Sequence, residues 1–333
     1  MLWAVLWCLA AGLILFSLGL GRYPVPFGHV LGILAAKILP IDPYWSATDV
    51  RVVEIIRLPR ILLALVSGGG LAVCGAVLQG LFRNPLVGPQ IIGVSSGAGF
   101  GGALALLISE NQLMTMLSAF VFGLGAMALV YAMSRSQGRS PVLMLVLSGV
   151  IASAFFSALT SLIKYVADPY DKLPAIVVWL MGSFASATYQ TFFLAAVPVI
   201  LTGFLLNAMR FRINIISLGD EEAETLGINV DRMRWLLLTG VTLISSAVVS
   251  AAGIVGWVGL VVPHIARMLV GADHRALLPA SALIGGMYTV LIDNLCRTAT
   301  AAEIPLGIIT AIIGAPVFGI LLKKTQAKGW KND

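Results

Sequence analysis

The chain has 333 residues, of which 59% are hydrophobic and 11% are charged, and its mean hydropathy is +0.98. Because soluble domains carry about 25% charged residues, this composition excludes a soluble globular protein and indicates a polytopic membrane protein. The formal net charge of +6 describes how such a protein is oriented in lipid rather than nucleic-acid binding. The cysteines, Cys8, Cys74 and Cys296, lack the spacing of metal ligands or of a disulfide framework, so we predict no metal site.

Uncharged apolar runs long enough to cross a bilayer recur along the chain. The stretch 235–270 is too long for one helix, and we divide it into two spans near Gly253, Gly256 and Gly259. A shorter apolar run at 176–187 predicts an interfacial or re-entrant helix. We therefore predict an all-α polytopic membrane protein, a single domain over 1–333 with about ten transmembrane helices. The other eight predicted spans are 2–20, 61–82, 91–109, 113–134, 141–163, 191–209, 276–292 and 304–322.

Ten spans place both termini on one side of the membrane. Thirteen of the 21 lysines and arginines fall on that side and eight on the other. The positive-inside rule then predicts that both termini are cytoplasmic. The first span lacks a preceding basic residue and a convincing small-residue cleavage site, which predicts that it stays as an anchor.

Two arginines open the second span in the sequence Arg57-Leu58-Pro59-Arg60. Arginines at the end of a span commonly snorkel or position the helix. Together with Arg297, which follows the ninth span, they would also suit the carboxylates of a partner protein. Asp293 lies four residues before Arg297 and could simply pair with it, so both interpretations stay open.

A tight turn and two ladders of small residues follow. The turn at 83–89 contains two prolines and a glycine, and it either only connects two spans or acts as a gate. Small residues at every fourth position allow close helix approach in lipid, and serine hydroxyls can also line a narrow polar path. For the third span we favour packing, whereas for the fifth span packing and pathway are equally supported. The ladders are Gly93, Gly97 and Gly101, then Gly149, Ser153, Ser157 and Ser161.

The stretch 210–234 holds nine of the chain's 36 charged residues. Lipid cannot solvate such a run, so it must face water. Its centre has the pattern of a short helix, because Ser217 or Asp220 can act as the N-cap, acids favour the first turn and Gly227 can end the helix. A capped acidic helix suggests a docking surface for a soluble partner, and a solvated connector is the equally supported alternative.

Motifs of enzymatic chemistry are absent from the sequence. Residues 97–102 match G-x-G-x-x-G, but neither a strand before them nor an acid about 20 residues later supports a dinucleotide site. A Gly-Lys dipeptide is missing, so the chain cannot itself hold ATP in a P-loop. The three histidines are scattered. We therefore predict no catalytic residue, no cofactor held by this chain and no enzymatic activity.

Several long stretches, in order along the chain, resemble the permease subunit of the iron-siderophore, haem and cobalamin family of ABC importers. The resemblance runs nearly end to end, without a departure from the family's motifs. The stretches are RLPR at 57–60, GAVLQGLFRNPLVGPQIIGVSSGAG at 75–99, GDEEAETLGI at 219–228, GLVVPHIAR at 259–267, DHRALLP at 273–279 and EIPLGIITAIIGAPVF at 303–318.

The resemblance implies a type II ABC importer permease fold in the inner membrane. It also implies a homodimer with the pathway on its two-fold axis, two cytoplasmic ATPase subunits that hold ATP and magnesium, and an external substrate-binding protein. The chain would be surrounded by lipid and would not bind nucleic acid. The substrate would be a ferric siderophore, haem or cobalamin, and an oxyanion such as molybdate stays open. An ion-coupled secondary transporter is disfavoured because mid-span acids are nearly absent.

Site residues follow from the same resemblance. The helix that couples to the ATPase would contain Asp220, Glu221, Glu222, Ala223, Leu226 and Gly227. The positions that receive carboxylates of the binding protein would be Arg57, Arg60 and Arg297. The cytoplasmic gate would contain Asn84, Leu86, Ser140 and Pro141. The run 176–187 would be a short helix beside the outer mouth, and if the fifth span lines the pathway, its ladder of Gly149, Ser153, Ser157 and Ser161 would face the solute.

Overall fold

The computed structural model describes residues 1–135 and 141–329, and over these residues it is helical throughout, without a strand. A π-helical segment, Arg51–Arg57, joins the third and fourth α-helices, and a 3-10 helix, Pro89–Ile92, precedes the fifth. The α-helices are α1 Leu2–Gly19, α2 Phe27–Ala35, α3 Ala47–Val50, α4 Leu58–Leu81, α5 Val94–Ile108, α6 Gln112–Ser134, α7 Val142–Val166, α8 Lys172–Met181, α9 Tyr189–Ala208, α10 Arg210–Ile216, α11 Asp220–Thr225, α12 Val230–Ala252, α13 Val258–Val270, α14 His274–Thr298 and α15 Leu306–Gly329.

The predicted all-α membrane fold is confirmed. Among the described residues, seven helical stretches are long and apolar enough to cross a membrane: α1, Ala47–Leu81, α6, α7, α9, α12 and α14. The other three predicted spans correspond to α5, α13 and the apolar part of α15, which are shorter. The chain is therefore a polytopic helical bundle of about ten spans.

The second span begins earlier than predicted. A capping box between Ser46 and Asp49 starts the helix, and the chain stays helical from Ala47 to Leu81. Pro59 does not break it, because the preceding turn is π-helical and the N–H of Leu58 donates to Val53 O, five residues back. A widened turn leaves room for a proline ring that would clash in a regular α-helix. The Arg-Leu-Pro-Arg sequence consequently lies inside a helix rather than at the end of a span.

Two other boundaries differ from the prediction because of breaks at glycines. The third span starts at Val94, after Gly93 has turned the chain at φ +77°. The short helix predicted over 176–187 is α8, which ends at Met181 because Gly182 adopts φ +78°. The division of 235–270 is confirmed, and the break runs from Gly253 to Trp257; the predicted turn residue Gly259 lies inside α13.

Helix α4 is the centre of the bundle and is almost wholly buried. Its glycines bring neighbouring backbones into contact: a methyl group on Gly68 would overlap Gly285 O of α14, and one on Gly75 would overlap Gly259 O of α13. Small residues at such crossings let helices approach closely in lipid, where packing replaces the hydrophobic effect.

Replacement of Gly75 by alanine should therefore lower the free energy of unfolding by about 1–3 kcal/mol or more, since 1–3 kcal/mol is the usual cost of overpacking. The obstacle is backbone, which cannot rotate away as a side chain would. Thermal unfolding in detergent measures this. Gly125→Ala in α6 is the matched control, because its added methyl meets nothing within 4 Å. Equal melting temperatures for both variants would contradict a tight α4–α13 contact.

The bundle has two distinct ends. We call the end with α11 the acidic end, and the end with Arg57, Arg60 and Arg297 the arginine end. Helix α4 connects them, since Arg57 precedes it and Arg83 follows it. Helix α1 ends, and α15 begins, at the arginine end, because Arg57 contacts Leu18 O and Arg60 contacts Glu303.

Candidate functional site

Helix α11 has the predicted acidic first turn, formed by Asp220, Glu221 and Glu222. Its start differs from the prediction: Gly219 is the N-cap, without a side-chain cap, and Asp220 is the first helical residue. The hydroxyl of Ser217 donates to Asn214 O instead, at the end of α10. Gly219 thus lets the chain turn sharply between two short helices.

The end of α11 is a Schellman motif, as Gly227 predicted. Gly227 adopts φ +78°, its N–H donates to Glu224 O, and the N–H of Ile228 donates to Ala223 O. A glycine suits this left-handed position because a Cβ would be strained there. The acidic helix therefore has fixed limits at both ends.

The surface of α11 combines acids with exposed leucines. Ala223 is buried and seats the helix on the bundle, and Asp220 accepts a 2.8 Å hydrogen bond from the buried Arg234 of α12. Glu221 and Glu222 are exposed, and Leu226 keeps 60% of its surface accessible. Exposed leucine beside acids is typical of a surface that binds a protein with both apolar and basic groups.

The turn after α4 is a hydrogen-bonded unit that contains two of the predicted gate residues. The N–H of Asn84 donates to Gln79 O at 3.2 Å, and its Oδ1 accepts from the N–H of Leu86 at 2.9 Å. Leu86 is 44% exposed and borders a cavity of about 220 Å³ beside Trp257. The turn is thus held by hydrogen bonds within the chain, and its leucine is exposed.

The remaining gate residues lie elsewhere. Pro141 borders an open cleft of about 770 Å³ together with Asp220, Glu221 and Arg234, so it lies beside α11. Ser140 lies outside the described residues. The structure does not show Asn84 or Leu86 in contact with Pro141, and a gate formed by these residues stays a prediction.

Arg83 begins the turn 83–89, which the sequence left open as a connector or a gate, but it was not among the predicted site residues. It adopts φ +51°, unusual for a residue other than glycine. A methyl group on Gly219 would lie 3.4 Å from Arg83 Nη1 and would overlap the carboxylate of Glu222. Arg83 and Glu222 therefore both lie next to Gly219, which places the turn after α4 close to the start of α11. The signal available in the sequence was one basic residue, placed between the second span and the Asn-Pro dipeptide of the turn.

Asn214 was also missed and connects two elements of the acidic end. Its Oδ1 accepts from the backbone N–H of His274 at 2.8 Å, and its Nδ2 donates to Asp273 at 2.7 Å. The side chain of His274 in turn packs against Gly80 of α4. Helix α10, next to the acidic helix, is thereby fixed to α14 and α4.

The ladder on α7 changes character along the helix. Gly149 is buried, and a methyl group there would overlap Ile91 O, so this step is a packing contact. Ser153 is half-buried, whereas Ser157 and Ser161 are exposed on the surface of the single chain. The Ser161 hydroxyl donates to Ser157 O at 3.0 Å, so its polarity is partly satisfied within the helix. A pathway role for the exposed serines stays a prediction.

Single cysteines test that role. If α7 lines a pathway, cysteines at Ser157 and Ser161 should react with charged, water-soluble thiol reagents, and the rate should change when ATPase subunits bind nucleotide. Cysteines at Leu147 and Phe155, which are also exposed in the single chain, should stay unreactive because we expect them to face lipid. Mass spectrometry reads the labelling. Serine positions that are inert in every nucleotide state would identify the ladder as a packing seam.

At the arginine end, Arg57 and Arg297 cap helix α1. Arg57 Nη1 donates to Leu18 O at 2.6 Å and to Gly19 O at 3.0 Å, and Arg297 donates to Ser17 O and Leu20 O at 2.6 and 2.7 Å. The last carbonyls of a helix have no partner within the helix and carry partial negative charge. Two guanidiniums satisfy them and hold α1 against α4 and α14.

Arg60 joins two carboxylates. Its Nε and Nη2 donate to Asp293 at 2.8–3.0 Å, and its Nη1 and Nη2 donate to Glu303 at 3.0 and 2.9 Å. Burial alone would raise the pKa of Glu303, but the hydrogen bonds and charge of Arg60 outweigh it and lower that pKa below its ordinary value. The predicted Asp293–Arg297 pair is confirmed at 3.8 Å.

The three arginines therefore lie together at one end of the bundle, but all are buried. The sequence left a positioning role and a docking role open for them, and the structure shows that each already has hydrogen-bond partners in its own chain. Their contact with a partner protein stays a prediction.

The helical bundle, with its acidic helix at one end and its arginine cluster at the other, is the membrane-embedded subunit of a transporter. Residues 8–324 match the FecCD transport family, and the chain belongs to that family. It is therefore a permease of an ABC importer and a multi-pass inner-membrane protein.

Similar proteins cover nearly the whole chain. The molybdate import system permease protein MolB of Haemophilus influenzae is 45% identical over 94% of this chain and 92% of its own length. The cobalamin import system permease protein BtuC of Halobacterium salinarum is 43% identical over 83% of this chain and 74% of its own length. A solved structure described as an inward-facing conformation of a metal-chelate type ABC transporter has a TM-score of 0.86 and 43% identity, covering 96% of this chain and 97% of that one.

Proposed function

We propose that this chain forms a homodimer that carries a metal-containing solute across the inner membrane, driven by two separate ATPase subunits. The observation that carries the proposal is α11: a short helix with an acidic first turn, a buried alanine as its seat and exposed leucine at its end. That surface fits a groove on a cytoplasmic ATPase. The ATPase subunits would hold ATP and magnesium, and this chain would hold no cofactor.

The orientation belongs to the same proposal. With α11 bound to an ATPase, the acidic end and both termini face the cytoplasm, and the arginine end faces outward, as the distribution of basic residues favours. The arginine cluster of Arg57, Arg60 and Arg297 is then where an external binding protein docks. The exposed face of α7 would contribute to the pathway on the two-fold axis.

Molybdate is the first candidate substrate, because MolB matches this chain over 94% of its length. A metal chelate such as cobalamin or a ferric siderophore is the second, because the cobalamin permease is nearly as similar. Residues 142–163 of α7 carry no charged side chain. A serine-bearing face without fixed charge suits a solute that must be released rather than held.

Purification and uptake test the proposal together. The chain should co-purify with an ATPase as two copies of each subunit, measured by mass photometry. Vesicles that contain the complex should accumulate molybdenum, measured by elemental mass spectrometry, when molybdate and binding protein are outside and ATP is inside. Accumulation of cobalamin or of iron from a ferric siderophore instead would select the second candidate. ATP-independent uptake by the chain alone would contradict the proposed mechanism.

A further inference from the structure

The two carboxylates on Arg60 differ in how far solvent reaches them. The Asp293 side chain is 1% exposed and lies near the C-terminal end of α14, whereas the Glu303 side chain is 30% exposed and lies in the connection before α15. Arg60 itself is 8% exposed. Glu303 therefore covers the outer side of a buried guanidinium, and an approaching protein meets Glu303 before it meets Arg60.

The cluster of Arg57, Arg60 and Arg297 has more guanidiniums than carboxylates and carries a surplus of hydrogen-bond donors. Three buried guanidiniums face two carboxylates, and Arg57 and Arg297 donate mainly to neutral carbonyl oxygens of α1. Asn294, 5% exposed, accepts from Arg297 through Oδ1, while its Nδ2 has no hydrogen-bond partner among the described residues. This environment favours a further carboxylate.

We propose that Glu303 occupies the place on Arg60 that a carboxylate of the external binding protein takes on docking, and that the two carboxylates exchange. The proposal rests on the docking role given to the arginine end above. It explains how a buried arginine becomes available to a partner: Glu303 swings out into water, and the partner's acid takes over its hydrogen bonds.

Glu303, rather than Asp293, is the group that can leave. It is partly hydrated already, so it regains solvent at little cost, whereas a displaced Asp293 would stay buried and lose its three hydrogen bonds from Arg60. Exchange also leaves the charge of the cluster unchanged. The partner's carboxylate therefore adds little net affinity, and a docked binding protein can be released once its solute has passed.

Removal of the covering carboxylate should accelerate docking. In nanodiscs that contain the complete transporter, Glu303→Gln should raise the association rate constant of the co-purifying binding protein by about 3-fold or more. Glu303→Asp keeps the charge but withdraws it from Arg60 by one methylene, and should also accelerate docking. Glu110→Gln is the matched control: it removes an acid from an exposed pair with Lys172 at the same end, and should change the rate by less than about 2-fold.

Biolayer interferometry at low and high salt gives the rates, and thermal unfolding confirms that each variant is folded. Acceleration by Glu303→Gln but not by Glu303→Asp would show that docking depends only on the net charge of this end, and it would overturn the proposed exchange. Unchanged or slower docking of both Glu303 variants would also overturn it. A wild-type rate that is independent of salt would instead contradict the docking role of the arginine end itself, so the two failures are distinguishable.

Discussion

Replacement of Arg60 by methionine should lower the free energy of unfolding by about 3–5 kcal/mol, the usual cost of removing one partner from a buried ion pair. Asp293 is 1% exposed and receives three hydrogen bonds from Arg60. Without them its charge stays buried, and Arg297, at 3.8 Å, is its remaining ion-pair partner among the described residues. Thermal and chemical unfolding of the purified chain in detergent measure the loss.

The double variant Arg60→Met, Asp293→Asn separates charge from packing. It removes both charges and keeps the shape, so it should recover most of the stability lost in Arg60→Met. Lys37→Met is the matched control, because it breaks a pair with Glu54 in which the lysine side chain is 61% exposed. Such pairs are worth about 1 kcal/mol or less. Equal losses for Arg60→Met and Lys37→Met would show that the arginine cluster does not stabilise the fold.

The burial of Arg60 could not be predicted from sequence, because its partners lie far along the chain. Asp293 is 233 positions away and Glu303 is 243, and no periodicity relates them to Arg60. The i, i+4 spacing of Asp293 and Arg297 was visible, and that pair was predicted. Local rules thus find contacts within a helix, whereas contacts between helices need the fold.

Spans could be predicted well because hydropathy over about 20 residues is a strong signal. Boundaries were less accurate where the chain breaks within the bilayer. Gly253 indicated the end of α12. The left-handed conformation of Trp257 could not be predicted, because its ring packs against Phe318 of α15, which is a tertiary contact. The same holds for Gly149, whose packing role depends on the backbone at Ile91. A four-residue ladder does not distinguish a packing seam from a path.

Charge reversal of Glu221 and Glu222 to lysine should greatly weaken association of the ATPase with this chain. Both acids are exposed in the first turn of α11, and like charge set against a complementary surface costs several kcal/mol. The lysines would also oppose the positive N-terminal end of the helix dipole, by about 0.3–1 kcal/mol each. Transport and substrate-stimulated ATP hydrolysis should fall while membrane insertion stays normal.

A graded series makes this result specific. Glutamine at both positions removes attraction without adding repulsion, so ATPase retention should fall in the order wild type, double glutamine, double lysine. Glu110→Lys with Asp171→Lys is the matched control: it reverses two exposed acids at the arginine end, where we expect no ATPase contact. Quantitative mass spectrometry of the co-purified ATPase gives retention for each variant. If the double-lysine variant retains the ATPase and transports as well as this control, α11 does not couple ATP hydrolysis to transport, because reversal of two charges at a complementary interface would cost several kcal/mol.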